Sequence, residues 1–555
     1  MRGRTRLGVA AVAAGLVLVP AVATSAHPGT PTAPAPTLEQ LHHDGRWLTD
    51  SAGRVVFLHG INAVYKRPPY VAPDTAAGFT AKDADLLAAH GINAVRLGVL
   101  FAGVMPTEGV IDQSYLDGID RIVQLLAARH IWVLLDFHQD AFNERFAGEG
   151  FPAWAVHDDG LPFANAGSFF ANYVTSPAVQ RAYDHFWNND FHLVDDYAQA
   201  WKAVASRWHA QPYLMGYDLF NEPSAGSQTL TCANPLGCPL FDATMAKIYD
   251  QVRTAIRTVD PTSMVWEEEQ FFFNAISAGN LPHVDDANVG FSWHDYACTP
   301  AFVEGGVLPG DPDCTVNEPR VMSNAEKQVA ALGGGSLLSE FGAGDDLEDL
   351  TRLTNLADSH LVGWMYWAYK HWDDPTGGTN EGLFKDDANP ATIKSAKLDV
   401  LAHTYPQAVA GTPTALRWEA DIKTMTLTYT PRRSTGLTDV FIPPGEYANG
   451  YKTVVTNGHV VSDRAATGGG RHVLVDADGT ATVTVVVKPG AGATVASGNG
   501  TLDGPTKSGR RPPVTSAGGG LAATGLGVGL PVIAGAVLLG AALASRHGRR
   551  PHRPR

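Results

Sequence analysis

The chain has 555 residues, of which 45% are hydrophobic and 17% are charged, and its formal net charge is −15. This apolar content suits a large folded core and excludes a predominantly disordered chain. The acidic balance, without a long basic run, argues against nucleic-acid binding.

The amino terminus predicts a secretory signal peptide over residues 1–26. Arginines within the first six positions precede a long apolar run, which ends on small residues up to Ala26. A basic start, an apolar middle and a small-residue end are typical of signal peptides rather than membrane spans. Residues 27–36 form a Pro/Thr-rich leader without core-forming residues. We therefore expect a secreted protein.

Residues 37–406 alternate short apolar runs with amphipathic helical patterns such as 81–91, 115–130 and 244–260. The apolar runs are nearly continuous, which is typical of parallel strands buried on both faces. Eight such runs predict an α/β fold with a (β/α)8 TIM barrel. A doubly wound open sheet is the competing fold, but no GxGxxG loop follows the first run. The eight predicted strands are residues 54–62, 92–100, 131–140, 213–223, 264–270, 289–296, 335–343 and 361–370.

The pattern changes after the barrel, where short strands alternate with Gly, Asn and Asp turns and no helical pattern interrupts them. This spacing predicts a C-terminal β-sandwich domain over residues 412–500. Residues 501–520 are rich in Gly, Pro and Ser and predict a flexible linker. The predicted sandwich strands are residues 424–430, 438–444, 451–457, 472–478 and 480–488.

The last segment, residues 521–555, combines the pentapeptide LAATG, an apolar stretch to about Ala544 and a basic tail. One interpretation is a transmembrane anchor with positive-inside flanks. We favour a cell-wall sorting signal, because the pentapeptide resembles the LAxTG variant of the sortase motif. A sortase would then cut between Thr524 and Gly525 and join Thr524 to the cell wall. The expected partners at this end are therefore sortase and the cell wall.

Four cysteines lie in the part of the chain that we expect to be exported. An even number outside the cell favours disulfides, and proximity along the chain suggests the pairs Cys232–Cys238 and Cys298–Cys314. A zinc site is the alternative, but the sequence contains no CxxC pair. Nothing in the sequence calls for a metal or an organic cofactor.

Two glutamates at predicted strand ends carry the strongest chemical signal. Glu222 lies in the tripeptide Asn221-Glu222-Pro223 after the fourth strand, and Glu340 ends the seventh. Strand ends four and seven of a closed barrel face each other across its mouth. Glycoside cleavage with retention needs two carboxyl groups about 5–5.5 Å apart, one as acid/base and one as nucleophile. We therefore predict that Glu222 and Glu340 are the two catalytic carboxyl groups, rather than a tripeptide that only begins a turn and an unrelated glutamate.

A rival carboxylate cluster, Glu267, Glu268 and Glu269, ends the fifth predicted strand. Consecutive strand residues alternate between the two faces, so all three cannot enter one site. We expect them to lie behind the site or to face solvent, although one of them could line the cleft.

Residues 50–375 resemble glycoside hydrolase family 5, a group that contains many cellulases. The resemblance implies that Glu222, after strand four, is the acid/base and that Glu340, after strand seven, is the nucleophile. The resemblance implies that Arg96 keeps the nucleophile ionised and that Tyr296 donates a hydrogen bond to it. It also implies that Asn221 binds the sugar 2-hydroxyl. The charge of Glu340 would then raise the pKa of Glu222 until the glycosyl-enzyme forms.

Three further residues match the family pattern in chain order. His138 follows strand three, His294 follows strand six beside the cleavage subsite, and Trp367 ends strand eight as an aromatic platform. Each has a structural alternative, because the histidines could be hydrogen-bonded core residues and Trp367 could be barrel packing. Arg96 could likewise be a structural ion-pair partner.

Within the family, residues 37–495 are most similar to the bacterial endoglycoceramidases, which release intact glycans from ceramide. Lys66 in GINAVYKRPPY and Trp187 in AYDHFWNN match glycan-contacting positions of that group, and Asp140 in HQD adds an acid that could hold sugar hydroxyls. The resemblance implies a secreted retaining β-glycosidase that acts on glycosphingolipids. A ceramide substrate needs an apolar shelf, for which residues 271–273 (FFF) and the loop near Phe302 and Val307 are candidates, although FFF equally suits core packing.

Other functions stay open at this stage. A β-glucosidase or galactosidase acting on glucosylceramide, galactosylceramide or steryl glucoside would share nearly every residue named above. A cellulase-type endoglucanase has no special need for Lys66, Asp140 and Trp187. A wall-anchored carbohydrate-binding protein without activity would not need the two glutamates. The sequence predicts no oligomeric state.

Overall fold

The computed structural model describes residues 39–298, 313–432 and 435–490, together with the backbone of residues 494–497. The predicted signal peptide, leader, linker and sorting signal, including Thr524 and Gly525, lie outside the described residues, as do Phe302 and Val307. Within the described ranges, no helix has both the length and the apolar character that are needed to cross a membrane.

The strands of the described chain form a barrel and two further sheets, which are antiparallel except for one pair of strands, Tyr451–Thr456 with Thr494–Ser497. In chain order they are β1 (His42–Asp44), β2 (Trp47–Thr49), β3 (Val55–Val56), β4 (His59–Ala63), β5 (Ala94–Val99), β6 (Trp132–Phe137), β7 (Leu214–Asp218), β8 (Val265–Glu268), β9 (Val289–Asp295), β10 (Gly335–Phe341), β11 (Gly363–Tyr366), β12 (Tyr405–Val409), β13 (Gly411–Glu419), β14 (Thr424–Pro431), β15 (Thr438–Ile442), β16 (Tyr451–Thr456), β17 (Gly458–Ala465), β18 (Arg471–Ala477), β19 (Val483–Pro489) and β20 (Thr494–Ser497).

Helices within the described ranges lie mainly between the barrel strands. They are α1 (Ala81–Ala89), α2 (Phe101–Val104), α3 (Gln113–Ala127), α4 (Phe169–Thr175), α5 (Pro177–Trp187), α6 (Leu193–Trp208), α7 (Thr229–Cys232), α8 (Pro239–Arg257), α9 (Cys314–Leu332), α10 (Leu347–Ser359) and α11 (Ser395–Leu401).

Strands β4 to β11 pair in parallel in chain order, and β11 pairs with β4 to close an eight-stranded barrel. The predicted TIM barrel is therefore confirmed. Every residue of these strands is buried, because side chains fill the interior and helices cover the outside. Only the first predicted strand differs, because Val55–Val56 leaves the barrel and pairs elsewhere.

Helix α3 illustrates why the segments between the strands are helical. Asp112 accepts hydrogen bonds from the main-chain N–H groups of Ser114 and Tyr115, which caps the first turn. Residues Leu116, Ile119, Val123 and Leu126 then repeat at spacings of three and four and are all buried. Burying one such side chain contributes about 1.5–3 kcal/mol, so this stripe holds the helix against the barrel.

The amino-terminal end of the barrel is closed by the chain that precedes it. Leu41 and Leu48 pack in one buried cluster with the barrel residues Met215, Met264 and Trp266. The main-chain N–H of Tyr213, just before β7, donates to the carbonyl of Glu39, and Leu48 of β2 lies against Gly335 at the start of β10. This plug leaves the opposite, carboxyl-terminal end of the barrel as its open mouth.

The C-terminal sheets form the predicted β-sandwich. One sheet has the order β1-β2-β3-β12-β15-β18-β17 and the other has the order β13-β14-β19-β16-β20. Their inner faces share one apolar core, which includes Leu427, Val440, Val473 and Val485. Strand pairing crosses the boundary that we predicted between residues 406 and 412, because β3, which precedes the barrel, pairs with β12, which follows it.

Both predicted disulfides are present in the structure, Cys232–Cys238 in the loop after β7 and Cys298–Cys314 between β9 and α9.

Candidate active site

Glu222 and Glu340 lie side by side at the open mouth of the barrel. Glu222 follows β7, and Glu340 lies near the end of β10. One carboxylate oxygen of each lies within 4.8 Å of the other and of a ring nitrogen of His294. His294 Nδ1 is 2.7 Å from Glu222 Oε1 and 3.4 Å from Glu340 Oε2. One imidazole nitrogen therefore stands between the two carboxyl groups.

The backbone at Glu222 is held in an unusual conformation. Its φ of 44° lies in the left-handed region, which costs a non-glycine residue about 1–3 kcal/mol. Gln139 Nε2 donates to the main-chain carbonyls of Asn221 at 2.8 Å and Glu222 at 3.3 Å. The Asn221 side chain donates back to the carbonyl of Gln139 at 3.1 Å. This reciprocal set fixes the direction in which Glu222 points.

The surroundings of Glu222 favour its protonated form. Burial and the negative charge of Asp140 raise the pKa of Glu222 to about 8, against opposing effects of His138 and Lys66. Asn274 Nδ2 donates to Glu222 Oε1 at 2.7 Å. A carboxyl group with this pKa holds a proton at neutral pH, as an acid catalyst must. Burial and Asp140 are the largest causes of this shift, and the expected repulsion between the two glutamates raises the pKa of Glu340.

Glu340 receives hydrogen bonds from two groups. Arg96 donates to its Oε1, and the Tyr296 hydroxyl donates to its Oε2 at 3.0 Å. Burial raises the pKa of Glu340, while the positive charges of His294, when protonated, and of Arg96 oppose that shift. The two carboxyl groups therefore differ in their partners, because a guanidinium contacts Glu340 and an amide contacts Glu222.

Arg96 is the central cation of the site and is fully buried. Its guanidinium also donates to Asp218 at 2.7 Å, and to Asp136 and Asn221 at 2.9 Å each. A buried charge is stable only with such partners. The same residue therefore contacts the proposed nucleophile and orients Asn221. One cation does not neutralise all of these carboxylates, and burial raises the pKa of Asp218 to about 6.

We expected the three glutamates at the end of β8 to lie behind the site or to face solvent, and all three are buried, so none faces solvent. Glu267 pairs with Arg253 of α8, because the outer face of β8 is covered by that helix. Glu269 accepts main-chain hydrogen bonds from the loop at residues 280–281. Only Glu268 backs the site, with oxygens 3.8 Å from Arg96 Nη2 and 3.6 Å from His294 Nε2. Burial and Asp218 raise the pKa of Glu268.

A second polar cluster lines the same cleft. Lys66 Nζ donates to Asp140 at 2.6 Å and to Thr376 Oγ1 at 2.7 Å, and it lies 4.5 Å from the ring centroid of Trp367. His138 stacks on Trp367 with ring centroids 5.1 Å apart. Burial opposes a charge on His138, but Asp136 outweighs it and raises its pKa to about 9. The cleft thus presents charged donors and acceptors beside an aromatic face, which suits sugar hydroxyls and a sugar ring.

The structure does not bring every predicted residue to this cleft. Trp187, expected to contact the glycan, lies in the core at the end of α5 and donates its Nε1 to the carbonyl of Ser224 at 2.7 Å. Phe271, Phe272 and Phe273, candidates for an exposed ceramide shelf, are buried instead. They pack below the cleft against one another and their neighbours, so the packing alternative describes them.

Several residues at the site were not predicted. Glu381 lines the cleft and accepts hydrogen bonds from Trp367 Nε1 at 3.1 Å and His371 Nδ1 at 2.8 Å. Phe169 of α4 lines the cleft from the other side. Asn274 and Thr376, like Glu381, lie in loops after strands, where no periodic pattern marks them. Their position after a barrel strand was the only available signal.

The grouping Glu222–His294–Glu340 is compact enough to hold a cation, since its ligand atoms lie within 4.8 Å of one another. The shared imidazole nitrogen already lies at hydrogen-bond distance from Glu222, and Arg96 and Tyr296 already satisfy Glu340. The hydrogen bonds therefore account for this arrangement without a metal ligand set.

Comparison with known proteins identifies the family. Residues 50–373 match the model of the cellulase family, glycosyl hydrolase family 5, and residues 404–487 match the glycoside hydrolase family 5 C-terminal domain. Endoglycoceramidase I of Rhodococcus hoagii (strain 103S) is 34% identical over 479 residues, covering 84% of this chain and 92% of that protein.

Two solved structures of Endo-glycoceramidase II from Rhodococcus sp. are similar throughout. The complex with a five-membered iminocyclitol has a TM-score of 0.68 and 30% identity, covering 80% of this chain and 100% of that one. The complex with ganglioside GM3 has a TM-score of 0.67 and 28% identity, covering 81% of this chain and 100% of that one. The chain therefore belongs to glycoside hydrolase family 5 and is an enzyme that hydrolyses O-glycosyl bonds.

Proposed function

We propose that the protein is a retaining endoglycosylceramidase, which hydrolyses the β-glycosidic bond between the glycan and the ceramide of glycosphingolipids. The observation that carries this proposal is the pairing of Glu222 and Glu340 within 4.8 Å beside the cleft that contains Lys66 and Asp140. Retaining glycosidases need carboxyl groups about 5–5.5 Å apart, whereas inverting enzymes need about 6.5–9.5 Å to admit a water molecule.

In the first step, a carboxylate oxygen of Glu340 attacks the anomeric carbon while Glu222 gives its proton to the departing ceramide oxygen. The bond from the anomeric carbon to that oxygen breaks, and a glycosyl ester of Glu340 forms. The raised pKa of Glu222 supplies the proton at neutral pH. Arg96 and Tyr296 hold the attacking carboxylate in place.

In the second step, Glu222 is a carboxylate, because it has given up its proton. It takes a proton from water, whose oxygen attacks the anomeric carbon and releases Glu340. Two displacements on the same carbon restore the original configuration. His294, which lies between the two carboxyl groups, holds their relative positions through both steps.

The substrate class rests on the relatives and on the second polar cluster. The similar proteins are named endoglycoceramidases, and one solved structure is a complex with ganglioside GM3. The Lys66–Asp140 pair and the Trp367 ring beside it offer hydrogen bonds and a stacking face to a glycan that extends beyond the cleaved bond.

We also propose that the enzyme works outside the cell, linked to the cell wall at Thr524 by a sortase. This rests on the order of signal peptide, pentapeptide, apolar run and basic tail in the sequence. A Thr524→Ala protein should be absent from the covalently linked peptidoglycan fraction and released instead. Its undiminished covalent attachment would contradict the sorting part of the proposal.

The activity itself is tested with a substrate panel on the secreted enzyme. The panel contains lactosylceramide, glucosylceramide, galactosylceramide, steryl glucoside and cellooligosaccharides, with Glu222→Gln as the matched inactive control. Release of intact lactose from lactosylceramide, absent in the control, is the expected result. Cleavage of cellooligosaccharides alone would overturn the ceramide proposal and leave an endoglucanase.

A further inference from the structure

Two buried groups beside Glu222 and Glu340 lack hydrogen bonds and face each other. Glu268, the last residue of β8, is fully buried, and neither of its carboxyl oxygens has a hydrogen-bond partner among the described residues. His294 Nε2 is likewise buried and without a hydrogen bond in the part of the chain that the structure describes. Glu268 Oε1 lies 3.6 Å from this nitrogen. Buried polar groups are almost always satisfied, so this pair needs an explanation.

The distance between the two groups indicates a direct contact rather than a water bridge. A bridging water makes a hydrogen bond of about 2.8 Å to each side, so the two atoms that it joins are roughly 4.5 Å or more apart. The main chain at Glu268 is held in place, because the Tyr249 hydroxyl donates to its carbonyl at 2.8 Å. Only the Glu268 side chain needs to turn slightly to reach the ring nitrogen. A hydrogen bond between Glu268 and His294 Nε2 satisfies both groups.

The charges around Glu268 favour its protonated form. The Arg96 guanidinium donates to Asp136, Asp218 and Glu340, while its Nη2 stays 3.8 Å from Glu268 Oε2. Glu268 therefore faces other carboxylates without a hydrogen bond from the cation that serves them. Burial and the charge of Asp218 raise the pKa of Glu268 well above its ordinary value, and Arg96 only partly opposes this shift. Glu268 is thus able to donate a proton in a hydrogen bond.

His294 has a single ring proton to place. Burial lowers its pKa to about 3, so at neutral pH the imidazole is neutral, with one nitrogen that donates and one that accepts. When a protonated Glu268 donates to Nε2, the ring proton must be on Nδ1. Nδ1 lies 2.7 Å from Glu222 Oε1 and then donates to it. The group on the far side of the ring therefore determines which tautomer faces Glu222.

The tautomer of His294 in turn determines which oxygen of Glu222 holds the acid proton. Asn274 Nδ2 also donates to Glu222 Oε1, at 2.7 Å. With a second donor from His294 Nδ1, Oε1 is fully occupied as an acceptor and the proton is on Oε2. The described residues provide no donor to Oε2, and Glu222 lines the cleft. The opposite tautomer would draw the proton to Oε1, toward the imidazole and away from the substrate.

We propose that Glu268 is a positioning residue that donates a hydrogen bond to His294 Nε2, fixes the Nδ1–H tautomer and so keeps the acid proton of Glu222 on Oε2. The inference rests on the proposed function, because that function makes Glu222 the acid. The proton of Glu268 stays on Glu268 through both displacements, and Glu222 alone exchanges a proton with the leaving group and with water. Once Glu222 is a carboxylate, Asn274 and His294 still donate to Oε1, so Oε2 takes the proton from water.

The test compares two replacements of Glu268 with a control at the preceding residue. Glu268→Gln keeps a donor in its amide group, whereas Glu268→Leu fills the space without one. Glu267→Gln is the control, because Glu267 pairs with Arg253 and not with the site. Values of kcat/KM are measured on two soluble β-lactosides. One has an alkyl leaving group, which needs the acid proton, and the other has dinitrophenolate, which departs without it.

Glu268→Leu should lower kcat/KM on the alkyl lactoside about tenfold, since the loss of one hydrogen bond shifts a proton equilibrium by about that factor. The same variant should cleave the dinitrophenyl lactoside within about twofold of the wild type, because this first step needs no proton. Glu268→Gln should recover the alkyl lactoside to within about threefold of the wild type, because its amide donates to Nε2. Glu267→Gln should match the wild type on both substrates.

Neutron diffraction from deuterated crystals of the wild-type enzyme locates the protons directly. Deuterium should lie on His294 Nδ1, on Glu222 Oε2 and on the carboxyl group of Glu268. Deuterium on His294 Nε2 would overturn the inference, and so would an ionised Glu268.

Equal losses of Glu268→Leu on both lactosides would also overturn the inference, because a purely structural role affects both substrates alike. A full rate of that variant on the alkyl lactoside would do the same, as would a Glu268→Gln protein that is as slow as Glu268→Leu. Failure of the proposed function is distinguishable, because Glu222→Gln would then cleave the alkyl lactoside as fast as the wild type, while the neutron density still reports the proton positions.

Discussion

The barrel has a buried cluster of histidine and carboxylate groups at each end. One cluster has a single histidine between two carboxyl groups, and the other has a single carboxylate between two histidines. At the mouth, one imidazole, His294, stands between the carboxyl groups of Glu222 and Glu340. At the base, one carboxylate, Asp358, stands between two imidazoles, with its oxygens 3.4 Å from His59 and 3.2 Å from His403. Both clusters are fully or nearly fully buried.

The two clusters differ in what their groups do with protons. Burial opposes a charge on Asp358, but the adjacent imidazoles of His403, which is hydrogen-bonded to it, and His59 hold its pKa below the usual range. His59 is stacked between Trp364 and Tyr405, with ring centroids 4.2 and 3.6 Å away. The negative charge of Asp358 at the base is therefore compensated by the two imidazoles, and the cluster is closed off from solvent. At the mouth, carboxyl groups outnumber cations beside an open cleft, and burial together with the charge of Asp140 raises the pKa of Glu222 to about 8.

The comparison teaches that buried ionisable residues do not mark an active site by themselves. The ratio of carboxylates to cations and the access to a cleft distinguish the mouth from the base. Changes at the mouth should therefore affect turnover, and changes at the base should affect stability.

The largest expected effect is on turnover at the mouth. Glu222→Gln and Glu340→Gln should each lower kcat/KM on a soluble β-lactoside by about 10³-fold or more, because each removes a group that transfers a proton or forms the ester. Thermal unfolding should change little, because Arg96 keeps Asp136 and Asp218 as charged partners when Glu340 is replaced. Glu267→Gln, on the neighbouring strand but paired with Arg253, is the matched control and should retain activity. Full activity in either variant of the pair would contradict the assignment.

The corresponding change at the base is Asp358→Asn. It removes the charge between the two imidazoles and should lower the free energy of unfolding by about 3 kcal/mol, as breaking a buried ion pair does. Denaturant unfolding measures this change, provided that the transition is two-state. The variant that remains folded should turn over substrate normally. Lost turnover with unchanged stability would contradict the difference between the two ends.

Two tyrosines allow the mouth and the base to be compared by removing a single hydroxyl group from each. Tyr296→Phe removes the hydroxyl that donates to Glu340 at 3.0 Å and should lower kcat about 10- to 100-fold, since a hydrogen bond to a charged group contributes about 1.5–3 kcal/mol. Tyr405→Phe removes a hydroxyl at the base that donates to the carbonyl of Gly91 at 2.6 Å. It should lower stability by about 1 kcal/mol and leave kcat unchanged. Equal effects of the two changes on kcat would argue against the account.

The smallest effect concerns pH. Because Glu222 must hold a proton in the first step, kcat/KM should fall about tenfold per pH unit above its pKa of about 8. The same shift affects folding. The pKa is higher in the folded chain than the ordinary 4.5, so the contribution of Glu222 to stability is full below pH 4.5 and is lost as the pH rises through 8. Glu222→Gln should flatten that part of the stability curve, and an unchanged curve would contradict the shift.

Much of the barrel could be predicted from the sequence, because strands buried on both faces leave continuous apolar runs. The sandwich strands β1, β2, β12, β13, β17 and β20 were missed. Most residues of β13 and β17 are exposed or partly exposed and many are polar, and β12 is short and contains a proline. Strands β3 and β12 pair although the whole barrel lies between them along the chain, and no local pattern predicts such a contact.

The positions of Glu222, Glu340 and their first partners were predictable because these residues lie within motifs at strand ends. Trp187 was placed wrongly, since a helix pattern does not tell which aromatic residue faces a cleft. Glu381 and Asn274 were missed because their roles depend on loop geometry. The burial of Glu267 and Glu269 could not be predicted, because their partners lie on a helix and a loop and no local pattern identifies them.

The stereochemistry of hydrolysis tests the central claim most directly, since that claim is a retaining mechanism by Glu222 and Glu340. Proton NMR during cleavage of a soluble β-lactoside reports which anomer of lactose appears first. The β-anomer of lactose should appear first and then mutarotate slowly, because two displacements at the same carbon restore its configuration. Initial formation of α-lactose would contradict it, because a single displacement by water needs carboxyl groups about 6.5–9.5 Å apart.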